Sequence, residues 1–128
     1  MTGEEGMKLK LTEDRPIFIQ IKEYIEESIL NGTMIAGEKI PSTNEFAQFY
    51  KINPATAGKG VNALVDEGII EKRRGVGMFV TETAKEQLIE NRKASFYEEY
   101  IEPLKEEAKR LGISVQHIQD MIDEGEKK

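Results

Sequence analysis

The sequence predicts a mainly α-helical chain with a small β-hairpin, and three observations carry that reading. Apolar residues recur at helical spacing over about 17–30 and again from Thr83 onward. Two helix starts stand in the middle of the chain, Ser42-Thr43-Asn44-Glu45 and Asn53-Pro54. Two short runs, Ile69 to Arg74 and Met78 to Thr81, flank Gly75-Val76-Gly77, as the strands of a hairpin flank its turn.

The elements follow in order. Residues 1–14 read as a flexible polar arm. Pro16 suits the first position of a helix, where its missing N–H costs nothing. Ile17, Ile21, Tyr24, Ile25 and Ile29 then mark the inward face of a first helix, which Asn31-Gly32 ends. Ile35 to Ile40 is expected as a turn-rich link. Ser42 caps a short second helix over about 43–50, with Glu45 reaching back to complete a capping box and Phe46 and Ala47 turned inward. Asn53 caps a third helix, with Pro54 at its first position, Ala57, Val61, Leu64 and Val65 inward, and Gly68 as the stop. After the hairpin the pattern is helical again, and Pro103 is expected to kink or divide the helix. Ser114 caps a last short helix, whose apolar face is Ile118, Met121 and Ile122.

Composition narrows the function. The 128 residues include no cysteine and one histidine, and carry 18 Lys+Arg against 24 Asp+Glu, for a net charge of -6. Disulfides, thiolate metal sites and cysteine nucleophiles are excluded. His117 alone cannot supply a two-histidine metal site and is read as solvent-facing. No apolar run approaches the roughly 18 residues of a membrane span, and Met1 to Lys10 lacks the apolar stretch of a signal peptide. A cytoplasmic binding protein is expected, with no catalytic residue, no metal and no cofactor; an enzyme is not. The acidity lies in the tails: residues 15–80 hold eight basic and eight acidic residues and balance, so a local basic face is open to the middle of the chain.

Three helices followed by a two-stranded hairpin is the order of a winged helix-turn-helix, placed at residues 15–81. In that unit the third helix faces the DNA major groove and the hairpin forms a wing. The starts of the second and third helices, the latter at Asn53, offer free N–H groups to phosphate, joined by the hydroxyls of Ser42, Thr43 and Thr56. Ala55, Thr56 and Lys59 lie on the reading surface, where Lys59 is the one long donor able to reach guanine. On the wing, Arg73 and Arg74 would pair with phosphate, and Gly75 and Gly77 would let the backbone approach it.

These residues resemble a family. Pro16 to Ile21, Gly37-Glu38-Lys39-Ile40-Pro41-Ser42, Asn53-Pro54-Ala55-Thr56 and Arg73-Arg74-Gly75-Val76-Gly77-Met78-Phe79-Val80 are similar, in this order, to the GntR-type transcription regulators. The resemblance covers about residues 15–81. It implies binding of double-stranded DNA at a palindromic operator, and repression of a nearby operon, often one for a transporter. The chain departs from the pattern at Asn44, where the family usually has arginine, and at Gly58 and Gly60 in the third helix. Asn44 keeps the ability to hydrogen-bond adenine but loses the charge.

Residues 82–124 are read as a helical tail, in which Lys105 to Met121, with Ala108-Lys109-Arg110-Leu111-Gly112-Ile113-Ser114, is similar to the two-helix tail of the family's YtrA-like branch, and 125–128 are read as a disordered end. The resemblance implies a homodimer formed through this tail. The segment is too short to enclose its own core, so Leu88, Phe96, Tyr97, Tyr100, Ile101, Leu104, Ile118, Met121 and Ile122 are expected at the subunit interface. Whether a small-molecule effector also acts here stays open. The alternative is a winged-helix module that binds another protein without specific DNA binding; the net negative charge is the feature that favours it.

Overall fold

The computed structural model describes residues 10–125. Along them run α1 (Ile17–Leu30), β1 (Lys39–Ile40), α2 (Thr43–Tyr50), α3 (Pro54–Asp66), β2 (Ile70–Arg73) and β3 (Gly77–Val80). Then come α4 (Ala84–Phe96), a π-helical turn (Tyr97–Ile101), α5 (Glu102–Leu111) and α6 (Val115–Glu124). Two units are distinguished, with the boundary between Ile89 and Glu90.

In the first unit, α1 buries Ile21, Ile25 and Ile29, successive residues four apart on one face. They meet Phe46 of α2, Val61 and Leu64 of α3, and Ile69, Ile70 and Val80 of the sheet, all within one core. Helix α3 comes closest to α1 at Gly60. A β-carbon there would stand 2.6 Å from the Phe18 carbonyl oxygen and 3.2 Å from Ile21 Cβ. Glycine is thus required by the approach of the two helices. Lys22 of α1 fastens the same pair, lying 2.9 Å from Glu26 and 3.4 Å from Glu67 just beyond α3. Burial works against the Lys22 charge, but the two carboxylates outweigh it, and its pKa is raised.

The expected hairpin is present as part of a three-stranded antiparallel sheet in the order β1-β3-β2. The link expected at Ile35 to Ile40 ends in a strand: Lys39 pairs with Phe79 and Ile40 with Met78. A two-residue strand shows no alternation long enough to be recognised.

The arm expected over residues 1–14 ends differently. Residues 1–9 lie outside the described part of the chain, but Leu11 packs against the core. Gln20, buried in α1, donates from Nε2 to the carbonyls of Thr12 and Arg15 at 2.9 Å each. It also accepts the Thr12 N–H at 2.9 Å. A buried amide with every contact made is a local tether, so residues 10–14 are held to α1. At the far end of the unit the core continues past Thr81 into α4, where Ala84 and Leu88 are buried. Leu88 was expected at a subunit interface; it belongs instead to this core. Core and interface leucines have the same helical spacing, so sequence does not separate them.

In the second unit the expected break at Pro103 is spread over a turn. Pro103 has no N–H to give, and its ring crowds the carbonyl four residues back. The chain answers one residue earlier by widening, with the Glu102 N–H donating to Tyr97 O, five residues back. Ser114 Oγ caps α6 by accepting the His117 N–H at 3.0 Å. Among the described residues of this unit, Ala108 is the one buried hydrophobic.

Substitution at the two helix glycines separates their roles. Gly60→Ala is expected to destabilise the fold by about 1–3 kcal/mol, since backbone must move. At Gly58 a β-carbon would meet Thr43 Cγ2 at 3.5 Å and Asn62 Nδ2 at 3.8 Å, ordinary contacts. Gly58→Ala is therefore expected to stabilise by about 0.5–1 kcal/mol through helix propensity. Chemical denaturation of the two variants checks the opposite signs.

Candidate nucleic-acid interface

The site is built on two helix starts. Ser42 Oγ accepts the Glu45 N–H at 3.1 Å, and Glu45 Oε1 accepts the Ser42 N–H at 2.7 Å, completing the capping box. The Ser42 hydroxyl acts here as an acceptor, so its own proton stays available to a phosphate oxygen. Asn53 Oδ1 accepts the Ala55 N–H at 2.7 Å and caps α3, leaving its NH2 group directed elsewhere. Thr43 and Thr56 are half-buried, while Asn44, Asn53 and Ala55 are exposed.

An open groove of about 390 Å³ runs between α2 and the start of α3, lined by Asn44, Glu45, Ala47, Gln48, Ile52 and Pro54. It brings Asn44 beside Gln48, one turn further along α2. Gln48 was missed in the sequence, although its spacing of four from Asn44 was the available signal. Gly58, another departure from the family pattern, is buried and faces Thr43, so it lies at the α2–α3 contact and not on the exposed surface.

Lys59 is exposed on α3 and touches α1. Its ammonium lies over the Phe18 ring of α1, 4.2 Å from the centroid. A cation above an aromatic face is held by the ring quadrupole, and that contact draws Lys59 toward α1.

On the wing, Gly75 takes a left-handed conformation (φ 75°) that a residue with a β-carbon rarely adopts, and the Val76 N–H closes the turn on Arg73 O at 2.9 Å. The Arg73 guanidinium lies 4.1 Å from the Phe79 ring centroid, with Nη2 3.6 Å from Glu71. Arg74 and Lys72 are exposed, and Lys39, missed because β1 was missed, runs along the neighbouring strand. Among the described residues, Lys39, Lys51, Lys72 and Arg74 make no ion pair.

Most acids of the same segment are engaged locally. Glu23 pairs with Arg15, Glu26 and Glu67 with Lys22, and Glu71 with Arg73. Glu38 accepts the Ile35 N–H and Glu45 caps α2. A balanced segment can therefore still present unpaired cations on the wing. In the second unit, Phe96, Tyr97, Tyr100, Leu104, Met121 and Ile122 are exposed, and Ile101 and Ile118 half-buried. The Phe96 and Tyr100 rings meet at a tilt of 39°, with centroids 5.3 Å apart. Among the described residues, no group of three His, Asp or Glu side chains suits a metal ion. No helix there is long and apolar enough to cross a membrane.

Comparison with known proteins agrees with this geometry. Residues 19–80 match the family described as bacterial regulatory proteins, gntR family. The HTH-type transcriptional repressor YtrA of Bacillus subtilis is 36% identical over 109 residues, covering 85% of this chain and 83% of that one. A GntR family transcriptional regulator from Listeria monocytogenes superposes with a TM-score of 0.73 at 31% identity, covering 91% of this chain and 100% of that one. The structure titled AraR(DBD) in complex with operator ORX1 matches with a TM-score of 0.54 at 28% identity, covering 59% of this chain and 96% of that one.

The caps are structural before they are functional. Ser42→Ala and Asn53→Ala should each lower stability by about 1 kcal/mol, as loss of an N-cap does elsewhere. Thermal melts of the two variants would show it. An unchanged melting temperature for Ser42→Ala would mean that the capping box contributes nothing.

Proposed function

The chain belongs to the gntR family of bacterial regulatory proteins, a family of DNA-binding transcription regulators, and we propose that it is a cytoplasmic homodimeric repressor that binds a palindromic operator beside a transporter-type operon. One observation carries the DNA part: two capped helix starts share an open groove, and the wing of the same unit holds cations without ion pairs. Ser42, Thr43, Asn44, Asn53, Ala55 and Thr56 then set register and read bases, while Arg73, Arg74, Gly75 and Gly77 approach the backbone. A complex of a family DNA-binding domain with its operator supports this reading. The repressor part follows the name of the relative that spans most of both chains.

The dimer part rests on the second unit. A helical segment that leaves Phe96, Tyr97, Tyr100, Met121 and Ile122 exposed and buries Ala108 alone lacks a core of its own. A second copy is the surface that removes those side chains from water, and a two-fold pair presents two α3 helices to two half-sites.

The decisive experiment is protection of the intergenic DNA upstream of its own gene from nuclease, with affinity measured across a salt series. A protected inverted repeat is expected, and Arg74→Ala should flatten the salt slope by about one unit while weakening binding to all sequences. Absence of any salt-dependent complex would leave the protein-interaction reading standing. For the dimer, Phe96→Glu combined with Ile122→Glu in the full chain should give a monomer by sedimentation. If the variant still sediments as a dimer, the proposed interface is wrong.

A further inference from the structure

Phe79 occupies an unusual place. The sheet register puts it opposite Lys39 on one side and Glu71 on the other, and puts Arg73 opposite Gly77. Since side chains alternate along a strand, Lys39, Glu71, Arg73, Gly77 and Phe79 share one face of the sheet. Ile40, Ile70, Met78 and Val80 share the other and form part of the core. Phe79 thus lies on the face turned away from the core and is no member of it, yet only 9% of it is exposed. The Arg73 guanidinium, 4.1 Å from the ring centroid, is what lies over it.

We infer that Phe79 is a positioning residue for DNA binding: its ring holds the Arg73 guanidinium flat on the outer face of the wing before DNA arrives. This rests on the wing reading above. A stacked guanidinium gives one face to the ring and keeps its N–H groups pointing outward in its own plane. Glu71, 3.6 Å from Nη2, holds one edge; the other donors remain for phosphate oxygens. An arginine on an open strand loses much rotamer freedom when it binds, and an arginine already laid on a ring has lost it on folding. Gly77 serves the same face. A β-carbon there would stand 2.6 Å from Lys39 Cε, so its absence lets the lysine stem cross the strand beside Arg73.

A double-mutant cycle in the full-length protein tests this, with a mixed-sequence DNA duplex as probe over a salt series. Arg73→Ala should lower the salt slope by about one unit. Phe79→Leu should weaken binding about 2- to 5-fold, the size of an exposed cation–π contact, and Phe79→Tyr should restore it. In the Arg73→Ala background Phe79→Leu should have no further effect. Equal weakening in both backgrounds would mean that the ring acts only through the sheet, and overturns the proposal. No weakening by Phe79→Leu in the unaltered background overturns it too, while leaving the wing reading intact if Arg73→Ala still flattens the slope. An Arg73→Ala variant with unchanged affinity and slope would overturn the wing role of Arg73 and this inference with it. Should Phe79→Leu fail to fold, proton resonances of the unaltered DNA-free protein decide. The Arg73 side-chain protons should be displaced upfield by the ring, and ordinary shifts would overturn the stacking.

Discussion

A β-carbon at Gly60 would stand 2.6 Å from the backbone oxygen of Phe18, so the whole placement of α3 is set by how closely it lies on α1. Glycine in a helix interior costs roughly 1 kcal/mol against alanine. Here that cost is offset by burial: Val61 and Leu64 reach Ile21 and Ile25 in one core, and each is fully inaccessible to solvent. The same approach sets Lys59 over the Phe18 ring and brings Glu67 within reach of Lys22. Helix α2 then packs on α3, with Thr43 against Gly58, and the groove between them inherits its shape from that base. The exposed residues of the groove, Asn44, Glu45, Gln48 and Pro54, take positions that follow from buried contacts made elsewhere.

Much of this was legible in the sequence, and the reason is local chemistry. Ser42 with Glu45, and Asn53 with Pro54, declare helix starts through atoms no more than a few residues apart, so reading them needs no knowledge of the fold. The inward positions Ile21, Ile25, Phe46, Val61 and Leu64 follow from period alone. What was not legible depends on partners distant in the chain. Strand β1 exists because Lys39 and Ile40 find β3, not because two residues show a pattern. The contact of Lys59 with Phe18 was not legible because Phe18 lies on another helix. Leu88 has the spacing of an interface residue, but the core of the first unit reaches it.

The charge of the chain illustrates the same division between sum and arrangement. A net charge of -6 argues against a polyanion as partner if it is spread evenly. It is not. Four acids between residues 15 and 80 sit in ion pairs with Arg15, Lys22 and Arg73, and Glu45 is spent on a helix cap. The exposed pairs, Arg15–Glu23 and Arg73–Glu71, stabilise little, about 0–1 kcal/mol each. Their consequence is spatial: acids neutralised beside α1 leave the field near the wing to Lys39, Lys72 and Arg74. Two further cations, on the wing and on α3, lie over rings, and a ring neutralises nothing. Among the described residues, Lys59 on Phe18 makes no ion pair, while Arg73 on Phe79 also pairs with Glu71 at 3.6 Å.

The second unit follows a different logic, and Pro103 shows it. Proline near the start of α5 removes a donor, and the chain restores the pairing with a turn one residue wider than an α-helix, through the Glu102 N–H and Tyr97 O. One added residue rotates everything beyond it by roughly 100° about the helix axis relative to an unbroken helix. The apolar residues before and after the turn therefore do not continue a single stripe. The tilted rings of Phe96 and Tyr100 touch at 5.3 Å between centroids, and Lys105 donates to the Tyr97 hydroxyl at 2.9 Å, which raises the lysine pKa. These contacts order the aromatic side chains without hiding them, since Phe96, Tyr97 and Tyr100 stay about half exposed. Among the described residues, the unit spends its packing on arranging exposed rings and buries only Ala108 beneath them. Under the proposed dimer, two identical tails would cover these rings for each other, which is the physical argument for that proposal.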